Sequence, residues 1–126
     1  MLSDAKLQTL ILTSRIDVAE RFYVDKLGLP LRKISDGALV FDVGGGELRV
    51  SPVPSTRPSE HTVAGFSVDD VDAVVRELSH RGVAFERFEG FPHEENDVMA
   101  TPDGARVAWF RDPDGNLLSV VQFPRD

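Results

Sequence analysis

The chain has 126 residues, and its 14 Lys+Arg against 21 Asp+Glu leave a formal charge of −7. That length predicts one domain, and the absence of cysteine excludes disulfide frameworks, thiolate zinc sites and thiol catalysis. The acidic balance argues against nucleic acid or an anionic membrane as partner, since clustered Lys/Arg holds both. His61, His80 and His93 are all the imidazole a metal site could use.

The residues at 6–13 (KLQTLILT) are apolar and β-branched and read as a strand. Ser14, three residues before Asp17, is an acidic variant of the capping box. It opens a helix through about Leu27 with Ile16, Ala19, Phe22, Tyr23 and Leu27 on its apolar stripe. Gly28 and Pro30 stop it. Short strands follow at about 31–34, 38–43 and 47–53, the last two joined by a turn at Gly44–Gly46. Residues 54–60 (PSTRPSE) read as a linker.

The order then repeats. Residues 61–68 read as a strand, and Asp69 is the expected N-cap of a second helix. Val71, Val74, Val75 and Leu78 recur at i, i+3, i+4 and i+7 on that helix, which Gly82 ends. His80 falls near its C-terminus, where a cation suits the helix dipole. Strands are expected at 83–88, 96–101, 105–111 and 117–122, with turns at Asp103–Gly104 and at 112–116 (DPDGN). DPDGN lacks the glycine position and closing Glu of a calcium loop and reads as a hairpin turn. TSRIDVA at 13–19 lies over VDDVDAV at 68–74 at an offset of 55, so the pattern is βαβββ twice. No apolar run approaches the roughly 20 residues of a membrane span. The start MLSDAKLQ has no signal-peptide pattern, so the expected location is cytoplasmic.

FYVDKLGLPL at 22–31, VDDVDAVVRELSHRGVAFE at 68–86 and VAWFRDPDGNLLSVVQ at 107–122 together resemble the vicinal oxygen chelate superfamily, the glyoxalase, bleomycin-resistance and extradiol dioxygenase group. The likeness covers nearly the whole chain. It implies an α+β fold in which two βαβββ repeats form a curled, cup-shaped mixed sheet, with helices on the convex face. Residues 1–126 would form one such domain: module one at about 5–53, the linker at 54–60 and module two at about 61–123. The likeness also implies a site on the concave side, often with a divalent metal held from the first and last strands of each module.

Transferred residue by residue, those ligand positions fall on Gln8, on Val63, on Ser119, and on Arg49 or Ser51. Valine has no donor atom, a guanidinium repels a cation, and serine is a poor ligand. Gln8 alone suits a metal, and a hydrogen-bonded polar residue is the competing reading of it. His61 shares parity with Val63 and either lines the cup or marks an exposed linker–strand junction. Gln8, His61 and a carboxylate from His93-Glu94-Glu95 are the one set from which a metal site could be built; otherwise 93–95 is a solvated loop. No cofactor is therefore expected.

Strand parity also places Leu10, Leu12, Val63, Gly65, Trp109, Ser119 and Val121 on the concave face, with Ala108 under the helix. With Gln8, Arg49 and His61 these residues describe an apolar, aromatic-lined pocket for a small organic molecule. An arginine there favours an anionic ligand. A homodimer is expected. The leading expectation is a metal-independent binding protein. The alternative is a metal-dependent lyase, isomerase or dioxygenase with a displaced ligand set that includes His61.

Overall fold

In a computed structural model, which describes residues 1–125, the chain forms two compact units, Met1–Pro58 and Ser59 onwards. In the first, β1 (Gln8–Thr13) leads into α1 (Ile16–Glu20) and then β2 (Leu31–Ser35), β3 (Ala38–Val43) and β4 (Gly46–Pro52). The sheet order is β1-β4-β3-β2. β1 runs parallel to β4, and the other pairs are antiparallel.

The first helix departs from the sequence expectation at both ends. Ser14 is not its cap. Arg15 holds the N-cap position without a side-chain cap, and its N–H donates to Thr13 Oγ1 at 3.1 Å. After Glu20 the backbone widens into a π-helical stretch, Arg21–Lys26. Leu27 N–H there reaches back five residues to Phe22 O at 3.0 Å. Ala19, Phe22 and Tyr23 are buried as their stripe predicts, and Tyr23 packs against Phe41 of β3 with ring centroids 6.0 Å apart. Ile11, Leu48 and Val50 complete this apolar layer.

Both hairpins close through two-residue turns with positive φ at each position, Asp36–Gly37 (51° and 79°) and Gly44–Gly45 (52° and 85°). Such turns match the twist of the flanking strands, and glycine or aspartate enters that region at low cost.

The second unit repeats the plan. β5 (Ala64–Ser67), α2 (Val71–His80), β6 (Met99–Ala100), β7 (Arg106–Arg111) and β8 (Leu117–Gln122) give the sheet order β5-β8-β7-β6. β5 is parallel to β8, and the rest is antiparallel. α1 and α2 start 55 residues apart, as the duplication predicts. The N-cap is Asp70 rather than Asp69, its Oδ1 accepting Ala73 N–H at 3.1 Å. A second acceptor comes from the sheet: Gln122 Oε1 takes Val71 N–H at 2.9 Å. Both satisfy donors that a helix leaves unpaired at its start. Val71, Val75 and Leu78 are buried with Phe110, Leu118 and Val120. No helix among the described residues is long and apolar enough to cross a membrane.

Three expected strands shrink. The strand at 61–68 begins only at Ala64, leaving His61 in a bend before it. The one at 83–88 reduces to a bridge between Phe85 and Phe110, and the one at 96–101 to Met99–Ala100. β6 and the Phe85–Glu86 backbone share the outer edge of β7. β6 pairs with Arg106 and Val107, and Glu86 N–H donates to Trp109 O at 2.7 Å. With the edge covered in two short pieces, neither grows into a full strand. The DPDGN segment is the expected turn. Asp112 is buried, and its Oδ1 accepts the N–H groups of Asp114 and Asn116 while its Oδ2 accepts Asn116 Nδ2.

Candidate functional sites on the open sheet faces

Each sheet buries one face under its own helix. Alternation sends the side chains of interest to the other face, and the registers of the two units match row by row. In the first, Leu10 lies opposite Arg49, and Arg49 opposite Val40. In the second, Gly65 lies opposite Ser119, and Ser119 opposite Trp109. Gly65 is 55 residues after Leu10, so the two rows are internal counterparts. This register selects Arg49, not Ser51, as the partner position of Ser119.

On the first sheet Gln8, Leu10 and Leu12 share the face opposite α1. Leu10 is 56% and Leu12 38% exposed. Arg49 extends toward the β2–β3 hairpin, where its Nη2 donates to Ser35 O at 2.9 Å; Asp36 Oδ2 stands 4.0 Å away. Gln8 pairs with a residue that sequence reading missed. Its Nε2 donates to Glu47 Oε2 at 2.8 Å, and Arg32 Nη2 donates to Glu47 Oε1 at 2.7 Å. The Gln8 amide holds the Glu47 carboxyl below the usual carboxylate range against some desolvation, with help from Arg32, Lys6 and Lys33.

On the second sheet Trp109 is half-buried and Ala108 fully buried, as parity predicts. Ser119 is buried, and Val121 sits beside Val107 and Ser67. Val63 stands one residue ahead of β5, its N–H donating to Leu117 O at 2.9 Å. His61 is exposed and outside any strand, so the parity that placed it on the pocket face does not apply to it.

His93 is the histidine the structure brings to Trp109. Phe88, His93 and Trp109 form a triangle, with centroids 5.2 Å (Phe88–Trp109), 6.2 Å (His93–Trp109) and 6.1 Å (Phe88–His93) apart. His93 Nε2 accepts Phe88 N–H at 2.9 Å, and Nδ1 lies 2.7 Å from Asp97 O. A carbonyl only accepts, so Nδ1 carries the proton and Nε2 the lone pair. The segment is thus fastened, while Glu94 and Glu95 stay exposed as a solvated loop would have them. Arg87 bonds Asp97 and Glu94 O, Asn96 Nδ2 donates to Asp72 Oδ1 at 2.8 Å, and Arg106 grips both Asp72 and Glu94. Arg106 holds the Asp72 carboxyl below its usual range against some desolvation, and Asn96 and Arg76 add to this. The Arg106 guanidinium is pushed up in turn, by Asp72 first.

The donors at the superfamily's ligand positions do not suit a divalent metal. Val63 offers only carbon, Arg49 is a cation, Ser119 is a neutral hydroxyl, and Gln8, whose Nε2 donates to Glu47, offers a single amide oxygen. Both Glu47 oxygens accept N–H groups, and His93 has both ring nitrogens engaged. Among the described residues no three His, Asp or Glu side chains converge as a metal site requires.

Residues 7–120 match the Glyoxalase/Bleomycin resistance protein/Dioxygenase superfamily. Over 131 aligned residues the chain is 28% identical to protein YraH of Bacillus subtilis strain 168, covering 92% of this chain and 96% of that one. Among solved structures, a member of the same superfamily from Sphaerobacter thermophilus DSM 20745 superposes with a TM-score of 0.75 at 21% identity, covering 97% of this chain and 99% of that one. TnmS3, an antibiotic binding protein from Streptomyces sp. CB03234, does so with a TM-score of 0.73 at 25% identity, covering 98% and 99%. The chain therefore belongs to the Glyoxalase/Bleomycin resistance protein/Dioxygenase superfamily.

Proposed function

We propose that this protein binds a small organic molecule, without a divalent metal at the superfamily's usual ligand positions. The observation that carries this reading is the donor set at those positions: Gln8, Val63, Arg49 and Ser119 leave one amide where a metal needs about three ligands. Trp109 supplies an aromatic surface for the molecule, with Ser119 beside it as a hydrogen-bonding group. Val63 and Val121 supply apolar area beside it; on the first unit's own sheet face Leu10 and Leu12 supply apolar area, with Gln8 and Arg49 as polar groups. The antibiotic-binding role in TnmS3's name points the same way. His61, exposed and ahead of β5, is left outside the binding residues.

The chain works on this reading as one domain of two modules. Exposed Leu7, Ile34 and Phe123 give a homodimer apolar surface to bury, and a cysteine-free chain suits a cytoplasmic setting.

The single tryptophan is a built-in reporter. Titration with a panel of planar antibiotics and aromatic metabolites, following Trp109 emission, should give saturable quenching by at least one compound, unchanged by EDTA. Trp109→Phe should weaken that compound's binding by calorimetry. Stoichiometric metal in tag-free protein, lost on His61→Ala, would instead establish the metal-dependent lyase, isomerase or dioxygenase.

A further inference from the structure

Two arginines of this chain are mostly withdrawn from water, and the protein treats them differently. Arg106, 26% exposed, contacts two carboxylates, with Asp72 and Glu94 both at hydrogen-bond distance. Arg49, 22% exposed, has among the described residues no carboxylate nearer than Asp36 at 4.0 Å, and that aspartate is 97% exposed. The one hydrogen bond of the Arg49 guanidinium to a described residue goes to Ser35 O. A guanidinium carries five N–H donors in a planar fork. The remaining donors make no hydrogen bond to a described residue.

The surroundings say what would suit them. In the rows of the first sheet Arg49 is flanked by Leu10 and Val40, and the next residue along, opposite Val40, is Lys33. Leu10 and Leu12 are exposed on the same face. Val40 is fully buried, so the exposed apolar area is that of Leu10 and Leu12, and it adjoins a partly desolvated cation with a second cation, Lys33, two strands over. A charge taken partly out of water is costly unless it is paired, and a planar carboxylate pairs a guanidinium fork best.

We infer that the open face of the first sheet, at Arg49, Leu10 and Leu12, is a binding site for a small amphipathic carboxylate. The acid group takes the free edge of the Arg49 guanidinium, and the hydrocarbon lies on the two leucines. The inference rests on the proposed function and names its ligand class. It assigns Arg49 a task beyond tying down the β2–β3 hairpin through Ser35.

The test is an amide NMR titration of the full chain with octanoate, 1-octanol and octylammonium, which differ only in the head group. Octanoate should bind about tenfold tighter than octanol, octylammonium weakest, and the octanoate shifts should centre on Leu10, Leu12 and Arg49. Arg49→Met keeps the aliphatic stem and should make octanoate and octanol equal. Equal binding of the three probes to the wild type overturns the inference, and so does a carboxylate preference that survives in Arg49→Met. Shifts confined to β5, β8 and β7 overturn it as well. The wild-type comparison decides the matter even if the variant fails to fold. Quenching of Trp109 by other compounds would leave the proposed function standing when this inference fails; silence of both faces toward every compound would remove both.

Discussion

Gly65 and Ser119 face each other across the β5–β8 pair, so closely that a Cβ on Gly65 would stand 2.9 Å from Ser119 Oγ. The φ of Gly65 is not positive, so glycine is required here for space and not for backbone freedom. Gly65→Ala should force the serine to another rotamer or shift β5, destabilising the protein by about 1–2 kcal/mol. Gly65→Ala with Ser119→Ala should recover most of that, because the colliding oxygen is gone. Urea unfolding of the two variants checks this. An undiminished midpoint in Gly65→Ala would mean that Ser119 has a free alternative rotamer.

The same row shows what was legible in the sequence. Alternation within a strand is strict, so parity assigns Leu10, Leu12, Trp109, Ser119 and Val121 to a face from the sequence, and the 55-residue offset locates both helices. Parity fails where the chain leaves the strand. His61 was assigned a face by counting back from Val63, yet the backbone bends before Ala64. The Phe88–His93–Trp109 triangle was missed for the opposite reason: segment 87–98 has no period, and tertiary hydrogen bonds to Arg87, Asp72 and Arg106 set its path. Glu47 was overlooked beside Gln8 because a parallel register between β1 and β4 is not readable from either strand alone. The Asp36-Gly37 pair was a readable hairpin signal that only the structure put to use.

His93 holds that loop by accepting Phe88 N–H and contacting Asp97 O while packing on Trp109. His93→Ala removes all three and leaves the Phe88 donor unpaired. The expected loss is about 1–3 kcal/mol, with Trp109 emission shifted to the red as water reaches the indole. Far-UV dichroism should stay unchanged, because the contact of His93 with β6 is a backbone bridge to Met99 that the substitution leaves in place. An unshifted emission maximum would show that the loop keeps its place without the imidazole.

Stability should fall at acid pH partly through Asp72. Arg106 lowers its carboxyl from 3.8, with Asn96 also contributing. A folded-state value below the unfolded one means that the unfolded chain binds the proton more readily. The contribution is therefore full above about pH 4 and is lost as pH falls through the folded value. The side chain is 42% exposed, so solvent screening keeps the effect to a fraction of about 1 kcal/mol. Asp72→Asn should flatten the melting temperature between pH 5 and pH 2 relative to wild type, and 1 M salt should shrink the difference. A steeper acid limb in the variant would reverse the assigned sign.

Asp112 organises the β7–β8 turn from inside. Its two oxygens accept the N–H groups of Asp114 and Asn116 and the Asn116 side-chain amide, at 2.9–3.0 Å. Asp112 and Asn116 are both buried, so truncation cannot be repaired by bulk water. Asp112→Ala should cost about 2–4 kcal/mol, since hydrogen bonds to a charged acceptor exceed neutral ones and the donors left behind stay desolvated. Asp112→Asn should cost less. One amide oxygen still serves the two backbone donors, and Asn116 can rotate its amide to offer an oxygen to the new NH2. The ordering Ala worse than Asn worse than wild type, read from urea midpoints, follows from the geometry. Equal losses in the two variants would mean that the negative charge matters and not the acceptor positions.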